Sequence, residues 1–262
     1  MNSKLKFSMR AAGCILSLAL LAGLSGCSWF QSLEIDPTRD WTAQKLYSEA
    51  RDAMNESNWS LAKDYYTKLE ARYPFGTYAQ QAQIELAYVY FKDDDAPSAI
   101  QQLDRFLRAY PNHPNSDYAL YLKGLATLNE REGLISSMIR QDISERDAQA
   151  ARDAFDVFKE LVGRYPDSRY APQATRKMHE LVLAQARHQL NTARFYFERK
   201  AYIAALNRAK VVLRDFQLTS VSDDAMELMA QCYHELKLFD LEKDMRRVIE
   251  LNKGRKRADM LR

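Results

Sequence analysis

The chain has few of the residues on which glycine-rich nucleotide sites and zinc sites depend. Only eight glycines occur in 262 residues and they are not clustered, which excludes a glycine-rich phosphate loop. His179-Glu180 begins like a zinc-protease motif, but Leu183 stands where the second histidine belongs, and His234-Glu235 fails in the same way. No cysteine–histidine spacing is typical of a metal site. We therefore expect no catalytic residue, no metal and no cofactor. Catalytic groups assembled only by folding remain the alternative.

Cysteine is also scarce. The chain contains Cys14, Cys27 and Cys232, and the first two lie in its N-terminal segment. If Cys27 is acylated, Cys232 has no partner and no internal disulfide can form in an oxidising compartment. Cys232 lies in an apolar helical stretch, where we expect a buried structural thiol. The apolar core must then hold the fold together.

The N-terminus has the order of a lipoprotein signal peptide. Three basic residues, Lys4, Lys6 and Arg10, precede an apolar run over 11–24, with no acidic residue between them. That run is shorter than the roughly twenty residues needed to span a bilayer. Leu24-Ser25-Gly26-Cys27 resembles a bacterial lipobox. We expect residues 1–26 to be removed and Cys27 to carry S-diacylglycerol and N-palmitoyl groups. An ordinary secretory signal or a weak membrane anchor is the alternative.

The balance of positive and negative charge argues against nucleic acid as a partner. Removing residues 1–26 leaves 35 basic and 35 acidic residues, because three of the 38 basic residues lie in that segment. A balanced chain lacks the broad positive field that steers nucleic acid.

Ser28 follows the lipobox, where an aspartate would resemble an inner-membrane retention signal. The expected location is therefore the periplasmic face of the outer membrane, reached through the lipid.

Small and apolar residues repeat along the rest of the chain. An alanine is followed twelve residues later by a proline at Ala62–Pro74, Ala99–Pro111 and Ala154–Pro166, and a tyrosine precedes each proline. A fourth copy runs from Ala205 to Phe216 without the proline, and a degenerate fifth copy spans 241–251. Apolar residues recur at helical spacing inside each copy. Each copy therefore predicts a helix that ends where proline cannot continue it.

A second small or apolar residue stands twelve positions before four of these repeat positions. The pairs are Ala50 with Ala62, Ala87 with Ala99, Ala193 with Ala205, and Met229 with Leu241. Small side chains at both points allow two helices to approach closely. With the terminating prolines, this pattern resembles the tetratricopeptide repeat and predicts an all-α solenoid of about five helix pairs. A generic helical bundle with chance prolines is the alternative.

The repeat spacing predicts two lobes. The N-terminal lobe, 41–170, would hold repeats one to three, and the C-terminal lobe, 171–252, would hold repeats four and five. In the third repeat Gly124 stands thirty residues before Ala154, which predicts an insertion at about 129–149. A helix over about 172–199, free of proline and glycine beyond its start, would join the lobes.

Two terminal segments complete the predicted organisation. Residues 27–40 have few periodic apolar positions and are predicted to be a lipidated tether. Residues 253–262 form a basic tail, for which a frayed terminus and a contact with lipid headgroups or a partner are both open.

Aromatic residues line the expected inner surface of the first three repeats. By resemblance to the repeat family, the groove-facing positions include Tyr47, Tyr88, Phe91, Tyr118 and Tyr121. Aromatic side chains anchor partners with little loss of conformational entropy, so these residues predict a groove for an extended peptide. Packing between repeats uses aromatic residues equally often and is the alternative.

The lipobox and the repeats together resemble the BamD (ComL) family of lipoproteins, which serve the outer-membrane β-barrel assembly machinery. The likeness covers essentially the whole chain after the signal segment and fades after Phe216. The stretches that carry it are Arg72-Tyr73-Pro74-Phe75-Gly76, Asp104-Arg105-Phe106, His113-Pro114-Asn115, Asn207-Arg208 and Leu213-Arg214-Asp215.

The resemblance implies a non-enzymatic scaffold with several partners. The C-terminal lobe would dock on a POTRA domain of BamA, with Arg208 as the contact arginine; an intramolecular salt bridge of Arg208 is the alternative. The region around Tyr73 would receive the C-terminal signal of unfolded barrel proteins. BamC and BamE are the further expected partners.

Two other classes of protein stay open. One is a lipoprotein adaptor for peptidoglycan enzymes built on the same repeats. The other is an enzyme with repeats, such as a transglycosylase, which would carry a separate catalytic domain.

Overall fold

The computed structural model describes residues 36–129 and 143–253. The signal segment, Cys27, residues 130–142 of the predicted insertion and most of the basic tail lie outside these ranges. Residues up to Thr42 form one unit and residues from Ala43 onward form a second. In the first unit Asp36 closes a turn, since its Oδ1 accepts from the Thr38 amide at 3.0 Å and from the Thr38 hydroxyl at 2.7 Å.

All regular structure in the described ranges is helical, and the second unit contains ten helices there. We number them α1 to α10 in chain order: Ala43–Asn55, Trp59–Arg72, Thr77–Lys92, Ala96–Ala109, Ser116–Asn129, Ile143–Arg164, Ala171–Glu198, Tyr202–Asp215, Val221–Glu235 and Phe239–Asn252. Each helix packs on the next one along the chain, and α1 with α3, α3 with α5 and α7 with α9 also pack together. The all-α fold of five tetratricopeptide-type helix pairs is confirmed.

The recurring tyrosine and proline end the second helix of each early pair as expected. The amides of Tyr73, Tyr110 and Tyr165 each donate to the carbonyl four residues earlier at 2.8 Å, and the proline follows. Phe216 makes the same bond at 2.9 Å without a proline behind it. At the other end, Asp95 caps α4 because its Oδ1 accepts from the Ser98 amide at 3.2 Å. These local signals account for the helix ends at which they occur.

The repeated small residues lie where paired helices meet. The members of the Ala50–Ala62, Ala87–Ala99 and Ala193–Ala205 pairs are all fully buried. In the third pair, a Cβ on Gly124 would lie only 2.6 Å from Cζ of Phe158. Glycine at this position therefore makes room for the phenylalanine ring, which lies where the Cβ of an alanine would be.

The fifth pair departs from this pattern. Met229 on α9 is buried, but its counterpart Leu241 on α10 is 46% exposed. No residue of α10 is fully buried, and Met245 contributes a partly buried contact to the C-terminal core. Every earlier second helix is covered by a following helix, and the residues described after α10 provide none.

Two features of the predicted lobe junction are visible. The helix expected over about 172–199 is α7, which runs from Ala171 to Glu198 without interruption. The predicted insertion is partly helical, because α6 already begins at Ile143. The division into two lobes stays a prediction.

No helix in the described ranges is both long enough and apolar enough to cross a membrane.

Candidate functional site

The carboxylate of Glu85 connects the first three helices. Glu85 lies on α3, one turn after Gln81, so both side chains share one face of that helix. Its Oε1 accepts from the hydroxyl of Tyr47 on α1 at 2.9 Å and from Nε2 of Gln81 at 3.0 Å. Its Oε2 accepts from the hydroxyl of Tyr66 on α2 at 2.6 Å. Gln81 in turn accepts from Asn115 at 3.3 Å, which extends the network towards α5.

Aromatic rings surround this carboxylate. The ring of Tyr47 lies 5.3 Å from that of Tyr78 and 6.3 Å from that of Tyr66, measured between centroids. The guanidinium of Arg51 lies over the Tyr47 ring at 5.9 Å. Tyr66 is fully buried, whereas Tyr78 is exposed to solvent. The cluster therefore has a fixed base and an accessible rim.

A second aromatic cluster joins α5 to the start of α7. The ring of Tyr121 stacks on Tyr170 with 5.1 Å between centroids and an angle of 18°, and Tyr118 lies 5.4 Å from the same ring. Arg169 covers the Tyr170 ring at 4.7 Å. Edge and stacked contacts of this kind stabilise each ring's position. The cluster therefore holds its rings in fixed positions, with a guanidinium over one of them.

Tyr88 and Phe91 lie on α3, the helix that carries Glu85. Both pack, half-buried, on the core of Ile84, Leu103 and Phe106, together with Tyr118. This is the inter-repeat packing that the sequence offered as the alternative to a groove. Each half-buried ring also keeps part of its surface exposed, so the groove role of Tyr88 and Phe91 stays a prediction.

Tyr73 occupies a different place from the other predicted groove residues. It caps the end of α2 and is partly exposed, and Phe75, two residues further on, is 89% exposed. The turn then passes through Gly76 at φ +106°, a conformation that favours glycine. Tyr73 and Phe75 therefore offer exposed aromatic surface just before α3.

The environment keeps the site tyrosines protonated. Burial raises the pKa of Tyr66 and Tyr47 above the usual range, and the hydrogen bond to Glu85 and its negative charge raise the pKa of both further. Burial raises the pKa of Tyr118 to about 12, helped by neighbouring Tyr170, Tyr88 and Glu85. These hydroxyls are hydrogen-bond donors at any physiological pH.

Arg208 lies on the exposed side of α8, away from the tyrosines. Its Nη1 is 3.4 Å from Oε1 of Gln189 on α7, a long and weak hydrogen bond. Over residues 36–129 and 143–253, no carboxylate oxygen lies within 4 Å of its guanidinium. The neighbouring arginines differ, since Arg214 pairs with Asp215 at 2.7 Å and Arg194 with Asp224 at 2.9 Å. The alternative of an intramolecular salt bridge has no support in the described part of the chain.

Cys232 is a buried free thiol in the core formed by α7 to α9. Among the described residues, no group of three or more histidine, cysteine or acidic side chains is arranged to hold a metal ion.

Sequence reasoning missed several residues of the two aromatic clusters. Glu85 and Tyr66 belong to the first cluster and Tyr170 to the second, and their partners lie far away in sequence: Glu85 bonds to residues 38 and 19 positions earlier. The sequence does contain a signal for the residues on α3, since Gln81, Glu85 and Tyr88 follow helical spacing along one face of that helix. That spacing shows a shared face but not which helices the face meets.

Comparison with known proteins places the chain in a family. The YfiO family profile, described as an outer membrane lipoprotein, matches residues 39–248. The outer membrane protein assembly factor BamD of Neisseria meningitidis serogroup B is 41% identical over 240 residues, 91% of this chain and 90% of the relative. BamD of Vibrio cholerae serotype O1 is 34% identical over 238 residues, 91% of this chain and 96% of the relative.

Among solved structures, the MamA protein covers 82% of this chain and 94% of its own, at 13% identity and a TM-score of 0.39. The resemblance to the BamD family rests on the sequence relatives alone, and they confirm it. The chain belongs to the BamD (YfiO) family of outer membrane lipoproteins.

Proposed function

We propose that this chain is a non-enzymatic scaffold that docks on BamA and receives unfolded β-barrel proteins for insertion into the outer membrane. The relatives are named as outer membrane protein assembly factors, which supports the general role. The finer steps rest on two surfaces of this molecule, the aromatic groove and Arg208.

The groove carries the substrate part of the proposal. Tyr47 and Tyr78 at one end and Tyr118 and Tyr121 at the other present partly exposed rings whose positions are fixed by hydrogen bonds and ring contacts. Rigid aromatic surfaces bind partners with little entropy loss. An unfolded barrel strand alternates apolar and polar side chains, and such a segment fits a row of separated rings. Tyr73, exposed beside Phe75, would contact the segment's aromatic end.

Arg208 carries the docking part. Its guanidinium is exposed and, among the described residues, has one weak neutral partner, so a carboxylate on a POTRA domain of BamA could pair with it without displacing an ion pair there. An arginine fork binds a carboxylate in two-point geometry.

The lipid anchor completes the proposal. Three acyl groups on Cys27 would hold the protein on the periplasmic face of the outer membrane, since a single acyl group binds membranes only weakly. Residues 27–40 would act as the tether. We expect BamC and BamE as further partners of the assembled complex.

Charge reversal at Arg208 tests the docking step. Arg208→Glu should lower the recovery of BamA with this chain from gently solubilised membranes by about tenfold or more, because two carboxylates would then face each other. Lys210→Glu is the matched control: it makes the same charge change on the exposed surface of the same helix. Circular dichroism should show equal helicity for all three chains.

Unchanged recovery of BamA with Arg208→Glu would contradict the docking assignment. Recovery of peptidoglycan enzymes in place of a large β-barrel protein would instead favour the adaptor function.

A further inference from the structure

Glu85 forms no ion pair in the described part of the chain. Its three hydrogen-bond partners, Tyr47, Tyr66 and Gln81, are neutral donors. A carboxylate has about four acceptor positions, so one position remains for a further donor. Glu85 is partly buried, so part of its surface remains exposed.

Other acidic residues of the same helix pairs differ in this respect. Asp93 pairs with Lys63 at 2.5 Å, and Asp104 pairs with Lys123 at 2.6 Å. Glu70 accepts from Gln102 at 2.5 Å and is also stabilised by the charge of Arg105. Arg51 reaches the Glu85 network through Tyr47: its guanidinium lies over the Tyr47 ring at 5.9 Å and interacts with the Tyr47 hydroxyl, but it forms no ion pair with the carboxylate.

A peptide that covers the rings of Tyr47 and Tyr78 would also cover Glu85. Removing a carboxylate from water is costly unless the covering molecule supplies a charge or a donor. A lysine or arginine side chain supplies both, and the tyrosine faces beside it favour a cation through their ring electrons. An acidic side chain at the same place would be repelled.

We propose that Glu85 is a specificity-determining residue of the groove, which selects bound segments that place a lysine or arginine side chain among their aromatic residues. The inference rests on the proposed function, because it assigns a preference to the segment that the groove receives. A purely structural Glu85 would tie α1, α2 and α3 together through the tyrosine hydroxyls but would create no charge preference in the ligand.

The test compares labelled ten-residue peptides that alternate aromatic residues with threonine and end in phenylalanine. In three versions, two central threonines are kept, replaced by lysine or replaced by glutamate. Dissociation constants are measured by fluorescence anisotropy with the full chain in detergent, as wild type, as Glu85→Gln and as Glu70→Gln. The Glu70→Gln variant removes a partly buried carboxylate that accepts from Gln102 on α4 and lies outside the hydrogen-bond network of Glu85.

The wild-type chain should bind the lysine peptide about tenfold or more tightly than the glutamate peptide, and less selectively as salt rises. Glu85→Gln should reduce this ratio to within about twofold, while Glu70→Gln retains it. A ratio near one in the wild-type chain overturns the inference, whether or not the variants fold.

An equal preference in wild type and in a folded Glu85→Gln chain also overturns the inference. In both cases the tight binding of the threonine peptide would leave the proposed function intact. Failure of every peptide to bind the wild-type chain would contradict the proposed function and the inference with it.

Discussion

Burial decides the chemistry of Cys232. Its side chain has no exposed surface and lies among Leu228, Met229 and Ala225 in the C-terminal core. Burial raises the pKa of the thiol to about 11. The thiolate is the reactive form, so both low access and low ionisation protect this residue.

The native chain should therefore resist alkylation at Cys232. With iodoacetamide at pH 8, we expect no modification of the native protein and complete modification in urea, measured by mass spectrometry of the peptide that contains Cys232. A matched control is Gln231→Cys in a Cys232→Ala background, because position 231 is exposed on the same helix. Modification of native Cys232 within about tenfold of the control rate would contradict the burial argument.

The same burial predicts a pH dependence of stability. The folded thiol has a higher pKa than the unfolded thiol, so the folded state holds the proton more tightly. The thiol's contribution is therefore constant below about pH 9, and the free energy of unfolding falls as the pH rises from about 9 towards 11. Cys232→Ala should reduce that fall in urea titrations at pH 8, 9 and 10. The tyrosines contribute their own decrease at higher pH, and it should persist in the variant.

At the residue scale, sequence predicts those features that depend on local spacing. The buried alanines and the buried thiol follow from the helical period around them. The Glu85 network does not, because Tyr47 and Tyr66 reach it from two other helices. The sequence is equally unable to show that Arg208 meets Gln189 and no carboxylate among the described residues, since this depends on which side chains of α7 lie opposite.

At the element scale, the third helix pair shows how one position fixes helix packing. Sequence correctly aligned Gly124 with the alanines of the other repeats, but it gave no reason for glycine in place of alanine. The reason is the ring of Phe158 on α6, which occupies the space that a Cβ would need. A fully buried ring cannot move aside easily in a close-packed core.

Two glycine-to-alanine substitutions should therefore have opposite effects. Gly124→Ala should lower the free energy of unfolding by about 1–3 kcal/mol through overpacking against Phe158. Gly163→Ala on α6 has nothing within 4 Å of the new Cβ and should raise stability by about 0.5–1 kcal/mol through helix propensity. Urea unfolding followed by circular dichroism measures both. Equal effects of the two substitutions would show that Phe158 relaxes freely.

At the scale of the whole unit, stability in a repeat protein is the sum of local terms between neighbouring elements. An internal second helix such as α8 contacts α7 before it and α9 after it, and it buries Ala205, Leu206, Ala209 and Val212. The last described helix, α10, has the same length of 14 residues, but it packs mainly on α9 and buries none of its residues fully. The sequence anticipated a weaker fifth repeat, because the alanine is replaced by Leu241 and the proline is lost. It could not show that this leucine stays exposed.

Local unfolding should therefore start at α10. Backbone amides of residues 239–252 should exchange with deuterium at least about tenfold faster than those of α8 at the same pH, measured by mass spectrometry of the isolated chain. The two helices match in length and in position within their pairs, so the comparison isolates the effect of the following helix, α9, that packs on α8. Equal protection would mean that another part of the chain covers α10. A bound partner that covers it should slow exchange there and leave α8 unchanged, which separates intrinsic fraying from a stable exposed surface.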